Sequence, residues 1–312
     1  MKLLLKLGTS IALCISAAPV LADDMKKDSM TAKTDTQVQP PIAEKRPHQY
    51  TVHGVTITDD YHWLRDQGYP KIENEEILAH LEKENAYFEA QMKPQAELVE
   101  TIFQEMKGLI KEDDSSVPQK DGDYIYWSKF DEGTQYRKHY RKAVKGGADQ
   151  LILDENRLAE GKDYFRLGAA EVSPDGKLLA YAYDDNGSER FDLHVRNLET
   201  GEELADIIPG TLSSIVWTKD SKGLVYGLAN ENWRTDNAYY HRLGDDPKNA
   251  KLLYKEADIG FGVGVGITAQ EDWIIIATGD NVTSEVRLVP ADNPLTEPIL
   301  VSPRKVGREY SV

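Results

Sequence analysis

The side chains able to do chemistry in this 312-residue sequence are few, and their spacing suits little of it. His48 and His53 lie five residues apart in a stretch with no helical signal, and the acids beyond them, Asp59 and Asp60, do not fall at metal-ligand spacing. Glu73, Glu75 and Glu76 lack a histidine at ligand spacing and read as the solvated first turn of a helix, where the backbone dipole favours negative charge. Asp184-Asp185 and Asp245-Asp246 offer the carboxylate pairs of acid–base catalysis, but neighbours in a loop point apart, so their expected work is turn formation. Gly262, Gly264 and Gly266 in GVGVG imitate a phosphate-binding loop by composition alone; without a βαβ context they predict a tightly packed inner strand. Cys14 is the only cysteine and lies in an apolar N-terminal stretch, so the mature chain is expected to have no disulfide and no thiol chemistry. No metal, cofactor or catalytic residue is assigned. The glycosylation sequons Asn186-Gly187-Ser188 and Asn281-Val282-Thr283 receive no role.

The elements that would position these groups begin after an export signal. Lys2 and Lys6 give a positive start, Leu7 to Leu21 is mostly apolar or small, and Val20-Leu21-Ala22 presents small residues where a signal peptidase reads, so cleavage is expected between Ala22 and Asp23. The apolar run is shorter than the ~20 residues that span a bilayer. A lipid anchor at Cys14 is disfavoured by the bulky Leu13 before it. Residues 1–22 are therefore expected to be a signal peptide and 23–41 a polar linker ending in Pro40-Pro41, and the mature protein is expected to be periplasmic or secreted and not membrane-bound. The net charge of −16 argues against affinity for nucleic acid. A surface of that sign attracts cationic peptides instead.

Residues 42–118 read as a helical arm. Ile77, Leu78, Leu81, Asn85, Phe88 and Met92 recur at spacings of three and four, and Leu98, Ile102, Met106, Leu109 and Ile110 continue beyond Pro94, which predicts two amphipathic helices broken near that proline. From about residue 120 the period becomes two. A turn and then an apolar run recur at Asp121-Gly122 before YIYW, Asp175-Gly176 before LLAYAY, Asp220 to Gly223 before LVYGL, and Glu271-Asp272 before WIIIAT. Each is followed by a charged loop and a second alternating strand: QYRKHYRKA, FDLHVRNLETG, NAYYHRLGD and SEVRLVPADN. Starts 54, 45 and 51 residues apart match four-stranded propeller blades, so residues 119–312 predict a partial β-propeller of about four blades in a mainly β chain.

Several segments in order also resemble one family. Asp60-Tyr61-His62-Trp63-Leu64-Arg65-Asp66 is similar to the D-x-Y/H-x-W-L-x-D signature of the prolyl oligopeptidase family of serine peptidases, in which Asp60, Tyr61, Trp63, Leu64 and Asp66 are taken as structural. His62 is expected to make a structural hydrogen bond beside Trp63. Glu84-Asn85-Ala86-Tyr87, YIYWSKFDEGTQYRKHYRK, EVSPDGKLLAYAYD, VRNLETGE, TSEVRLVPAD and SPRKVGREYS resemble the oligopeptidase B branch, which cleaves after Lys or Arg. The resemblance implies a seven-bladed propeller that limits access to an α/β-hydrolase domain, toward which the helical arm wraps; that domain would be the propeller's intramolecular partner. It also implies a serine on a G-x-S-x-G elbow with an aspartate and a histidine. No such elbow occurs in this sequence, so the α/β-hydrolase catalytic domain is absent from it and the triad would lie beyond Val312. The expectation is thus the N-terminal propeller part of an exported oligopeptidase B-like enzyme acting on short peptides with Lys or Arg, itself inactive. The alternatives are a noncatalytic propeller that binds peptides or proteins, and a prolyl endopeptidase type cleaving after Pro.

Overall fold

The computed structural model describes residues 38–68 and 72–312; the expected signal peptide, its cleavage point at Ala22 and Asp23, and most of the linker lie outside the described residues. The chain divides after Lys107 into two compact units.

The first unit opens with a hairpin that the sequence did not announce, β1 (His48–Val52) paired antiparallel with β2 (Val55–Asp59). Its two-residue turn places His53 (φ 50°) and Gly54 (φ 78°) in the left-handed region, the geometry such hairpins require. Two helices follow, α1 (Glu75–Met92) and α2 (Ala96–Gly108), joined by a single 3-10 turn over Lys93–Gln95 where Pro94 cannot donate to the helical ladder. Asn74 caps α1, its side chain accepting from the amides of Glu76 and Ile77, so Glu75 and Glu76 lie in the first turn and Glu73 precedes the cap. The helices match the expected periodicity, but of their apolar residues only Ile77 is buried; Leu78, Leu81, Phe88, Leu98, Ile102, Phe103 and Met106 remain exposed. Periodicity identifies a face that wants cover, and the described residues of this unit do not supply it.

The second unit is built from four-stranded antiparallel blades. The first comprises β3 (Gln119–Asp121), β4 (Tyr124–Lys129), β5 (Lys138–Ala143) and β6 (Gln150–Asp154), followed by a short helix α3 (Glu155–Ala159) capped by Asp154. The next two blades share a strand: β7 (Arg166–Val172), β8 (Leu178–Asp184), β9 (Phe191–Asn197), β10 (Glu203–Trp217), β11 (Gly223–Leu228), β12 (Asn237–Arg242) and β13 (Lys251–Lys255) form one seven-stranded sheet. The fourth blade is β14 (Gly262–Ile267), β15 (Trp273–Gly279), β16 (Ser284–Pro290) and β17 (Ile299–Ser302). The runs recognised in the sequence are the second and third strands of every blade, and the period of their recurrence is the blade itself.

Strand β10 contains Pro209-Gly210, a pair that normally marks a turn. The chain keeps its direction because the pair is a bulge: register shifts between Ile208 and Thr211 against β9, and again between Thr211 and Ile215 against β11. Gly210 takes φ 72°, and the fully buried Thr211 donates its hydroxyl to the Phe191 carbonyl at 2.8 Å. The first half of β10 is thereby the outer strand of the second blade and its second half the inner strand of the third.

Each seam between blades has its own apolar core. Ile152, Leu153, Leu179, Tyr181 and Leu198 fill the first; Ala180, Leu193, Ile208, Trp217, Leu224 and Tyr226 are among those filling the second; Val216, Val225, Tyr240, Val263, Ile274 and Val289 fill much of the third. Burial pushes the Tyr226 hydroxyl up to about 12. The GVGVG segment is the inner strand β14, but not a tightly packed one. A Cβ at Gly264 would meet no atom within 4 Å, because Val263 turns into the third-blade core and leaves the glycine face open. Close packing occurs instead at Gly223, where a Cβ would lie 2.3 Å from the Tyr240 ring and 2.9 Å from the His241 carbonyl oxygen.

Candidate functional site

Two places concentrate polar chemistry, one in each unit. In the first, the Asp60–Asp66 segment closes a loop onto the start of α1. The Asp66 carboxylate accepts from the Gly68 amide at 2.7 Å and from the Glu73 and Asn74 amides at 2.9 Å each, and these three donors hold it below the usual carboxylate range. Trp63 lies in a 3-10 turn (His62–Leu64); its indole donates to the Glu44 carbonyl at 2.8 Å while the Arg46 guanidinium stacks 4.4 Å above its ring. Arg46 also pairs with Glu44 and Glu76, tying the chain before the hairpin to the helix start. Asp60 pairs with Lys45 at 3.5 Å, and its carbonyl accepts from the Arg46 amide. Tyr61 is exposed and Leu64 half-buried. The His62 ring stacks on His48 at 4.0 Å and sits 3.8 Å from Asp59, so the expected hydrogen bond gives way to a ring–ring contact. His53 is a turn residue. Among the described residues no three His, Cys, Asp or Glu are gathered as metal ligands.

The adjacent acids of the second unit do turn chemistry. Asp184, almost fully buried, accepts from the amides of Asn186, Gly187 and Glu189, while Asp185 pairs with Lys162 at 2.8 Å. Asp246 caps the 3-10 turn at Pro247–Asn249.

The second place is a cleft of about 1130 Å³ along the inner strands. Gln119 to Asp123 and the rings of Tyr124 and Tyr126 form one side; Glu171 and Val172 at the end of β7 form the other; Ile215 to Trp217 of β10 and Ile267 of β14 extend it. The Trp217 indole donates to the Glu171 carbonyl oxygen at 2.8 Å, fixing β7 against the third blade. Glu171 and Asp121 are both solvent-exposed, yet partial desolvation, and secondarily the nearby Asp121, holds the Glu171 carboxyl above the usual carboxylate range. Among the described residues neither Glu171 nor Asp121 has a hydrogen-bond or ion-pair partner for its carboxylate. Several other acids of the unit have partners: Asp131 pairs with Lys129 and Lys138, Glu155 hydrogen-bonds the His139 ring at 2.7 Å, and Glu256 and Glu285 pair with Arg304. Arg141 stacks 4.2 Å over Tyr124 and is committed to the Gly176 carbonyl and Gln150. Sequence reasoning missed this pair. Asp121 reads as half of a turn and Glu171 as one polar position of a short strand, and only the pairing of blades brings them together.

The described residues therefore offer an acidic, aromatic-edged cleft and an uncovered helical face. Comparison with known proteins places the chain. Residues 40–312 match the model of the prolyl oligopeptidase N-terminal beta-propeller domain. The chain is 35% identical to dipeptidyl aminopeptidase BI of Pseudoxanthomonas mexicana, over 90% of this chain and 41% of that protein. It is 30% identical to protease 2 of Moraxella lacunata, over 87% of this chain and 40% of that protein. The structure of oligopeptidase B from Leishmania major superposes with a TM-score of 0.79 at 28% identity, covering 86% of this chain and 40% of that one. The chain thus spans about two fifths of the length of the relatives it matches.

Proposed function

Because the chain belongs to the prolyl oligopeptidase family through its N-terminal β-propeller domain, we propose that it is the access-limiting propeller of an exported serine peptidase that cleaves short peptides after Lys or Arg. The observation that carries this reading is the continuous match over residues 40–312 together with blades of the oligopeptidase B fold. Hydrolysis belongs to a serine, histidine and aspartate beyond Val312, forming an acyl-enzyme with no metal or organic cofactor. The propeller contributes by size exclusion and by charge. The exposed face of α1 and α2, with Phe88, Leu98, Ile102, Phe103 and Met106, is the surface that the hydrolase domain of the same protein covers. In this reading an export signal over residues 1–22, cut between Ala22 and Asp23, carries the enzyme to the periplasm or outside the cell.

The higher identity to a relative named dipeptidyl aminopeptidase favours a second reading, removal of dipeptides from a free N-terminus. One set of substrates separates the two. The product of the native locus is assayed on arginyl, lysyl and prolyl peptides, each with a free and an acetylated N-terminus. Cleavage after Arg or Lys regardless of acetylation supports the first reading; strict dependence on a free amine supports the second. Cleavage only after Pro, or none, overturns the proposal.

A further inference from the structure

We propose that Asn186 is a site of spontaneous covalent modification, the deamidation of its side chain through attack by the next backbone amide, and that Asp184 sets the rate. Of the asparagines in the sequence only Asn186 is followed by glycine. The reaction favours that neighbour, because the amide nitrogen of the following residue must close a five-membered ring on the asparagine Cγ and a side chain there obstructs the approach. Asn186 and Gly187 are both exposed, in the loop between β8 and β9, and a Cβ built on Gly187 would meet nothing within 4 Å. In the step itself the Gly187 nitrogen gives its proton to hydroxide or a buffer base and bonds to Cγ of Asn186. The Cγ–Nδ2 bond then breaks, and ammonia leaves with a proton taken from solvent. Water opens the resulting succinimide at either carbonyl, which leaves aspartate or isoaspartate at this position.

Two hydrogen bonds act on the reacting atoms in opposite senses. The Ser188 amide donates to Asn186 Oδ1 at 2.9 Å, which polarises the carbonyl under attack and meets the charge that develops on its oxygen. The Gly187 amide donates to Asp184 Oδ1 at 3.0 Å, and its proton thereby occupies the direction from which Cγ must approach the nitrogen. Asp184 is almost fully buried and also accepts from the amides of Asn186 at 3.0 Å and Glu189 at 2.7 Å, so the loop is pinned around one carboxylate. A hydrogen bond to a charged acceptor is roughly twice as strong as a neutral one, and a carboxylate beside the amide opposes loss of its proton. Ring closure therefore waits for the bond between Gly187 and Asp184 to open. The product matters because of what the loop holds. Arg190 at its end lays its guanidinium 4.5 Å over Trp233 and donates to the Asn230 carbonyl at 3.1 Å, joining the second blade to the loop between β11 and β12 of the third. Isoaspartate adds one backbone atom between the Asp184 anchor and Arg190, which loosens that contact.

The inference is independent of the peptidase reading, and each can fail without the other. The 312-residue protein, its Asp184→Asn variant and, as control, Asp185→Asn at the exposed neighbour are incubated at mildly alkaline pH beside a synthetic peptide spanning residues 180–192. Near-UV circular dichroism checks each fold. Peptide mapping by mass spectrometry follows conversion at every asparagine, and isoaspartyl methyltransferase labelling follows isoaspartate. Asn186 converts ahead of all other asparagines, about ten- to a thousandfold more slowly than in the peptide, because the opening of a pinned loop precedes the chemistry. Asp184→Asn quickens it about tenfold, the charged acceptor having become a neutral one, while Asp185→Asn changes it less than about twofold. Hydrogen exchange gives a readout that needs no variant: the protection of the Gly187 amide matches the retardation of Asn186 relative to the peptide, since both await the same opening. Another asparagine converting first, an Asn186 that outlasts the expected range, a rate equal to that of the peptide, or Asp184→Asn without effect overturns the proposal. If Asp184→Asn does not fold, the exchange comparison decides in its place, and an unprotected Gly187 amide overturns the proposal.

Discussion

Replacing Arg304 with Ala tests whether the fourth blade is held by one guanidinium. Glu256 and Glu285 are 7% and 4% exposed, and Arg304 is the cation both share. Breaking a buried ion pair by removing one partner costs about 3–5 kcal/mol, because the other charge stays buried. Part of that is retained here. Glu256 keeps the Tyr254 hydroxyl and the Asp258 amide, and Glu285 keeps the amide of residue 304 and Arg287 at 2.6 Å. The expected loss at pH 7 is therefore about 2–3 kcal/mol, a fall in Tm of roughly 4–10 °C for a unit of this size. The pH dependence carries a sign. Both carboxyls titrate below their usual value in the folded protein although burial alone would raise them, because Arg304 and the other donors outweigh it. Their stabilisation is present above the ordinary glutamate value and is lost as pH falls through the folded values. The Arg304→Ala deficit must therefore begin to shrink as pH falls below the ordinary glutamate value, about 4.3, and vanish only below the depressed folded values. Urea unfolding at pH 7 and pH 3.5 measures it. An unchanged midpoint at pH 7, or a deficit that persists undiminished in acid, refutes the reasoning.

Further outcomes follow from local geometry. Gly223→Ala forces a Cβ into the Tyr240 ring and the His241 carbonyl and costs about 1–3 kcal/mol, whereas Gly264→Ala, with nothing within 4 Å, stays within about 0.5 kcal/mol; thermal melts of the two compare them directly. His194, its ring against those of both Tyr181 and Tyr183 and its buried Nε2 without a partner among the described residues, titrates below its usual value because of burial. The folded state then binds fewer protons than the unfolded one, stability falls as pH drops through the unfolded histidine value, and His194→Phe flattens the slope between pH 7 and 5 in urea titrations. Arg46→Ala removes the cation from the Trp63 face and the tie to Glu76, so Trp63 emission shifts while the propeller melt is unchanged. The purified 23–312 segment hydrolyses no arginyl or lysyl ester; turnover surviving removal of contaminating proteases contradicts the absence of a nucleophile.

The sequence disclosed the repeat more fully than its parts. Strands β4, β8, β11 and β15 alternate long enough after a tight turn to be read directly, as do their partners β5, β9, β12 and β16. Three-residue β3 is too short to show a period, and Pro209-Gly210 disguises β10 because a bulge and a turn use the same residues. The helices were legible, but their exposure was not: periodicity marks a face without saying what covers it. At the candidate site nothing local could reveal Glu171 and Asp121, fifty residues apart and joined only by blade stacking. Arg304 was equally hidden, since its partners lie 48 and 19 residues away. Conversely, the Asp60–Asp66 signature was found by resemblance, and the contacts of Trp63 and Asp66 give it a physical basis in the loop it closes.

The central claim, that this chain is the propeller of a serine peptidase, is met most directly by labelling the product of the native locus with a fluorophosphonate probe. The account predicts a labelled polypeptide well above the mass of 312 residues, recognised by an antibody raised against residues 108–312, while the 312-residue chain expressed alone takes no label. A native product of only this length, or a longer one that the probe does not label, contradicts it.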